Sequence, residues 1–326
     1  MTVPLSRKDY FRRYLCPFWL RPESALWYSY EAFAVRAFLG DFKQPSLEIG
    51  CTDGTSSFVM LGGEFLNSFD VYSDVSWKPD SIHWNSMKED YYDIVHPKNN
   101  ALIVQSSPSQ KWTLGVCGKK SHLEKARRLE IYEQVKLYPT GKPLTLLPGN
   151  PFETIWAPNL YWNEDLEGFL QEIKVLLAPK GRLLTVVPDR SALEHMLFRS
   201  ADLKNETWWK DLDRGRFENT SRHARKLNEW EHFFEQAGFE ITRKDHFLPV
   251  NVLRIHDIGL RPLFPVLMNI YDTLKTKLPE DWLKIKNQWI DTFLYFLSPF
   301  CDSDQLSSEN AVWHLFELQS KVKKNG

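Results

Sequence analysis

Strand-like and helix-like segments alternate along most of this chain, and that alternation constrains the fold more than any other feature. Leu47 to Ile49 reads as a short buried strand. It runs into a turn bounded by Gly50 and Gly54, then a helix over 55–61 that Gly62 and Gly63 end. "WTLGVC" (112–117) reads as a strand and "SHLEKARRLEIYEQV" (121–135) as a helix, with Leu123, Ala126, Leu129 and Tyr132 on one face. "FETIWAP" (152–158) gives another strand. "EDLEGFLQEIKVLL" (164–177) gives a helix and "PKGRLLTVVP" (179–188) a turn and a strand. Such a series predicts a parallel sheet covered by helices on both faces.

The flanks are more varied. Residues 24–39 place apolar groups at helical spacing and stop before Gly40. Residues 64–111, rich in Asp, Ser, Pro and Asn, read as a loop-rich insertion with one strand over 101–105. "KLNEWEHFFEQAGFEITRKDHF" (226–247) is a helix, a stop at Gly238 and a strand. Residues 252–300 are mostly helical, broken by Pro262, Pro265 and Pro279, and "AVWHLFELQSK" (311–321) suits a strand closing the sheet edge. The expected organisation is an N-terminal helical segment (1–44) and an α/β domain (45–250) carrying the 64–111 insertion. A helical insertion or lid (251–305) and a final strand of the α/β domain (306–326) follow.

Composition narrows the function. A net charge of -1 excludes the basic excess usual in nucleic-acid binders. The four cysteines, 16, 51, 117 and 301, show no CxxC spacing, so no metal site is expected and reduced thiols in a cytoplasm are. The charged N-terminus lacks a long apolar run, so no signal peptide is expected. The apolar stretches 262–271 and 292–300 are too short to span a bilayer.

A strand that ends in a glycine turn and opens a helix lets the backbone approach a ligand closely. The order here is "LEIGCTDG", then "GVC", "LEKAR", "FETIWAPNLYW", "FLQEIKVLLAPKGRLL" and "EWEHFFEQAGFEI". It resembles the class I S-adenosylmethionine-dependent methyltransferases of the small-molecule, type 11-like kind. The resemblance covers residues 45–61 and 112–245 and the last strand. It implies a Rossmann-like fold with a seven-stranded, mainly parallel sheet whose last strand is antiparallel, helices on both faces, and a helical insertion before that strand. It also implies S-adenosylmethionine as cofactor. Glu48, Gly50, Cys51, Thr52, Asp53 and Gly54 then face its amino-acid part. Cys117 and Gly118 lie by the ribose and adenine. Asn159, Leu160 and Tyr161 stand where the methyl group meets the acceptor.

Three positions depart from the family pattern. Thr52 stands where a glycine is common. Cys117 takes the place of the acid that binds the ribose hydroxyls, and a thiol is a poor substitute. No acid follows the third strand near residues 138–140. A second register puts the ribose acid at Asp74. The candidates on the acceptor side are His223, His256 with Asp257, and Tyr161, together with the arginines at 214, 216, 222 and 225. The expected acceptor is a small molecule or a sugar- or glycan-type group. The 251–300 helices are candidates for an acceptor cover or for a homodimer surface. A methyltransferase-like binding or scaffold protein without catalysis is the alternative. A nicotinamide-dependent oxidoreductase fits less well, because the turn lacks GxGxxG spacing.

Overall fold

The computed structural model describes residues 5–72, 103–138, 143–144, 147, 151–199, 207–260, 263–302 and 310–321. Two helices come first, α1 (Arg7–Leu15) and α2 (Pro22–Leu39). Ser6 caps α1 through a reciprocal box with Asp9, and Pro22 opens α2. The α/β body follows as β1 (Ser46–Ile49), α3 (Thr55–Met60), the short pair β2 (Glu64–Phe65) and β3 (Val104–Ser106), β4 (Trp112–Cys117), α4 (Lys120–Arg128) and β5 (Tyr132–Leu137). It continues with β6 (Phe152–Trp156), α5 (Leu166–Leu176), β7 (Leu177–Pro188), α6 (Ala192–His195), α7 (Thr207–His223), α8 (Leu227–Gln236) and β8 (Phe239–Pro249). Then come α9 (Val250–Arg254), a π-helical turn (Ile255–Leu260), α10 (Phe264–Lys277), α11 (Trp282–Cys301) and β9 (Ala311–Ser320).

Seven strands form one sheet in the order β5-β4-β1-β6-β7-β9-β8. Neighbours from β5 to β7 are parallel, and β9 runs antiparallel to both β7 and β8. One buried cluster joins α1, α2, α4 and α11 to one face through Trp112, Trp156 and Trp313. A second packs α5 and α8 on the other face, with Leu170, Ile173, Trp230 and Phe234 against Leu47, Ile155 and Phe316. The expected seven-stranded, mainly parallel sheet with helices on both faces is present.

Three details differ from the sequence reading. The helix at 121–135 stops at Arg128, and Tyr132–Leu137 is a parallel strand beside β4. Glu130 turns the chain at φ 54, and Tyr132 packs in the sheet rather than on the helix. The last strand does not close the edge; it lies inside, between β7 and β8. All eight residues from Ala311 to Leu318 are buried, which an interior strand with both faces covered requires. Its polar groups are answered by neighbours. Glu317 bonds Arg182 at 3.0 Å and Thr242 at 2.8 Å, and His314 reaches Asp189 at 3.0 Å. Within the 64–111 insertion, two strands rather than one are seen, because β3 pairs with β2. Residues 73–102 lie outside the described residues, Asp74 among them.

The helices after β8 are tied to the N-terminal pair. Arg7 donates to the Cys301 carbonyl at 2.8 Å and Tyr30 to that of Phe300, while Tyr271 donates to Asp70 in the segment after β2. No helix among the described residues is long and apolar enough to cross a membrane.

Candidate functional site

The chain reverses direction across the sheet between β1 and β6: β4 and β5 build out on one side, β6 and β7 on the other. Ligands of open α/β sheets bind at such a switch point, beyond the carboxyl ends of the strands. The turn after β1 is shaped for close approach. Gly50, Thr52 and Gly54 have φ of 80, 48 and 79. Thr52 therefore adopts the left-handed conformation a glycine takes freely, at a cost of roughly 1–2 kcal/mol. Gly50 N and Cys51 N both donate to Val116 O, at 2.8 and 3.0 Å, and lock the turn against β4. A Cβ on Gly54 would sit 3.2 Å from Leu129 and 3.3 Å from Tyr132, so the turn also needs its small residue for packing.

Two cavities meet at this turn. The larger, about 860 Å³, is walled by Cys117, Gly118, Tyr138, Leu160 and Arg222. The smaller, about 370 Å³, is walled by Glu48, Cys51 and Thr52 below, Trp27 and Glu31 of α2, and Tyr161, Arg216, His256 and Trp313. Gly50, Asn159, Trp162 and Asn219 line both. This is the class I methyltransferase fold.

Most of the expected residues converge there. Glu48, Gly50, Cys51 and Thr52 border the small cavity; Cys117, Gly118 and Leu160 border the large one; Asn159 borders both. Asp53 and Gly54 border neither. Asp53 instead caps Thr55 N at 3.0 Å. Of the acceptor-side candidates, Tyr161 and His256 line the small cavity. His223 does not, and its Nε2 lies 2.7 Å from the Asn163 carbonyl. Arg216 reaches the small cavity and Arg222 the large one, while Arg225 stacks over Trp230 and Phe233.

His256 belongs to a buried network. Its Nδ1 lies 2.8 Å from Asp257 Oδ1 and 3.1 Å from Arg216 Nη1. The carboxylate contact is the shorter, so Nδ1 donates there. Arg216 also pairs with Asp257 Oδ2, which takes a further bond from Leu197 N at 3.2 Å. Burial alone would raise the Asp257 carboxyl; the Arg216 guanidinium and His256 outweigh it and hold Asp257 well below the usual carboxylate range.

The two other carboxyls of the small cavity behave in the opposite way. Burial raises Glu48 to about 7, against bonds from Ser57 (2.5 Å) and the Tyr132 hydroxyl (2.8 Å). Burial likewise raises Glu31 to about 7, against a bond from Trp27, with the charge of Glu48 adding to the rise. A raised acid binds its proton more tightly folded than unfolded. Stability is therefore full below the ordinary value of 4.5 and is lost as pH rises to about 7. Urea unfolding is expected to lose on the order of a few kcal/mol from these two groups between about pH 5 and pH 8, since each tenfold difference in proton affinity is worth roughly 1.4 kcal/mol. A protein carrying both Glu31→Gln and Glu48→Gln is expected to show a flatter profile.

Several wall residues were not legible as functional. Arg21, Ser24, Trp27, Tyr28 and Glu31 all line the small cavity. The one available signal was an acid, Glu31, set among the apolar residues of α2. Among the described residues no group of three or more His, Cys, Asp or Glu is placed to hold a metal.

No protein-family model matches the chain. No curated protein matches it. Solved structures do resemble it. A SAM-dependent methyltransferase from Thiobacillus denitrificans, in complex with S-adenosyl-L-homocysteine, is 13% identical and aligns over 85% of this chain and 84% of its own, with a TM-score of 0.41. One from Geobacter sulfurreducens, in complex with the same compound, is 13% identical over 89% and 90%, with a TM-score of 0.44. The cyclase SpnF is 11% identical over 99% and 100%, with a TM-score of 0.44. The strand order and the reversed β9 carry the fold assignment.

Proposed function

We propose that the chain is an S-adenosylmethionine-dependent methyltransferase acting on a small acceptor. The observation that carries the reading is the pair of cavities joined at Gly50 and Asn159, at the switch point of the sheet. The turn residues fit the cofactor: the backbone of Gly50–Thr52 is open to the cleft, and the larger cavity is sized for a nucleoside. Bound there, S-adenosylmethionine supplies an electrophilic methyl on a sulfonium. Cys117, Gly118 and Leu160 would border the adenosine, Gly50 to Thr52 would hold the amino-acid arm, and Asn159, which lines both cavities, would lie near donor and acceptor. Placement carries much of the acceleration in such a displacement. The wall of the acceptor half comes from α2, α7 and the π-helical turn, which bring Trp27, Arg216 and His256 to it. At about 370 Å³, shared with the donor arm, that cavity favours a small molecule over a polymer. His256, held by Asp257, serves as a fixed polar wall that orients the acceptor.

One observation favours the alternative of a binding protein without catalysis: Cys117, not an acid, ends β4 beside β1. Calorimetric titration separates the two. The enzyme reading expects saturable heat with both S-adenosylmethionine and S-adenosylhomocysteine, and a rise in melting temperature that grows with ligand concentration. No heat with either at millimolar concentration contradicts it.

A further inference from the structure

The small cavity has a charge balance and a wall chemistry that name a class of acceptor. Ser24, Trp27, Tyr28 and Glu31 fall on one face of α2, at helical spacing, and all line it. Trp27 meets Trp313 edge-on at 4.8 Å and lies 5.0 Å from His256. Tyr161 and Trp156 complete the aromatic wall. The two arginines of the cavity are matched by acids: Arg21 pairs with Glu23 at 3.0 Å and Arg216 with Asp257. Among the described residues the groups acting on Glu31 and Glu48 are Trp27, Ser57 and Tyr132 and the other carboxyl, none of them basic. Under the proposed reading the donor brings an ammonium, a sulfonium and a carboxylate, a net single positive charge. One of the two carboxyls is then still unanswered.

We propose that the acceptor is a small organic amine, held as its ammonium by Glu31 within the rings of Trp27, Trp156, Tyr161 and Trp313. This rests on the donor site proposed above. Aromatic faces attract an ammonium and offer nothing comparable to a hydroxyl. The burial that raises the Glu31 carboxyl also lowers an ammonium beside it, so the proton passes from nitrogen to Glu31 at modest cost. The neutral amine then attacks: the N–C bond forms as the C–S bond breaks, and the C–S electron pair stays on sulfur as the thioether. The positive charge moves from sulfur to nitrogen, and Glu31 returns its proton to solvent.

The test uses the whole chain saturated with S-adenosylhomocysteine and titrated with benzylamine or its neutral counterpart, benzyl alcohol. Benzylamine is expected to bind at least roughly tenfold more tightly near pH 8. The advantage is expected to shrink as pH falls through about 7 and Glu31 takes a proton. The other ionisable groups lining the cavity are Arg21, Tyr28, Glu48, Cys51, Tyr161, Arg216 and His256. Glu31→Gln is expected to remove the advantage while S-adenosylhomocysteine still binds; Glu31→Asp is expected to keep part of the advantage. Equal or tighter binding of the alcohol, or binding of neither probe, overturns the amine assignment and leaves the donor site standing. Failure of the wild-type chain to bind S-adenosylhomocysteine overturns both.

Discussion

Replacing Asp257 with alanine is expected to cost about 3–5 kcal/mol in urea unfolding, the loss typical of removing one partner from a buried ion pair. Its side chain is fully buried and accepts from Leu197 N, His256 and Arg216. The alanine leaves the Arg216 guanidinium, only 15% exposed, beside an empty space with no counter-charge from this residue. It also frees the His256 ring to turn in the small cavity. A protein with Arg216→Met and Asp257→Leu together is expected to recover most of the loss, because no isolated charge is left behind. A loss below about 1 kcal/mol for the alanine variant means that the network is open to water. The pH dependence has a definite sign. A carboxyl held low contributes stability above its ordinary value of 3.8, and that contribution is lost only as pH falls far into acid.

Placing an acid at the end of β4 is expected to gain affinity for S-adenosylhomocysteine. Cys117 is nearly buried, borders the larger cavity and donates its thiol to Lys119 O at 3.3 Å. On the proposed reading, Cys117→Asp would put a carboxylate within reach of the ribose hydroxyls. A charge-assisted hydrogen bond contributes on the order of 1.5–3 kcal/mol, so S-adenosylhomocysteine is expected to bind roughly tenfold to a hundredfold more tightly. Cys117→Ser, which adds no charge, is expected to change little. Calorimetry at constant salt compares the three proteins. An aspartate variant that folds and binds no better than wild type means that the ribose lies elsewhere.

The series of strands and helices was legible because each buried strand is bounded by a turn residue and each helix carries a stripe at the right spacing. The turn after β1 was legible for a similar reason, since Gly50 and Gly54 take conformations that most residues avoid. The spatial position of β9 was not legible. Its eight buried residues look much like an edge strand with one apolar face, and only pairing with β7 and β8 places it inside. The end of α4 was missed because Tyr132 continues the helical stripe of Leu123, Ala126 and Leu129 while serving as the first residue of a strand. Periodicity cannot choose between the two when the breaker, Glu130, is not a glycine.

The candidate site was legible on the sheet side and largely hidden on the cover side. The turn and the residues after β6 are local in sequence. Trp27, Glu31 and Trp313 come from elements far apart in the chain, and each looks like ordinary core in its own segment. The Arg216–Asp257 pair spans 41 residues, so one segment shows only half of it. His223 and His256 looked alike in sequence. They differ because the π-helical turn places His256 in the cavity, while His223 at the end of α7 bonds a backbone carbonyl.

The most direct measurement is a crystal structure of the chain grown with S-adenosylhomocysteine. The account predicts the adenosine in the larger cavity between Cys117 and Leu160, and the homocysteine arm along Gly50 to Thr52 with its sulfur turned toward Asn159. Well-diffracting crystals with that cleft empty at saturating ligand, or with the compound bound away from the carboxyl ends of β1 and β6, contradict it.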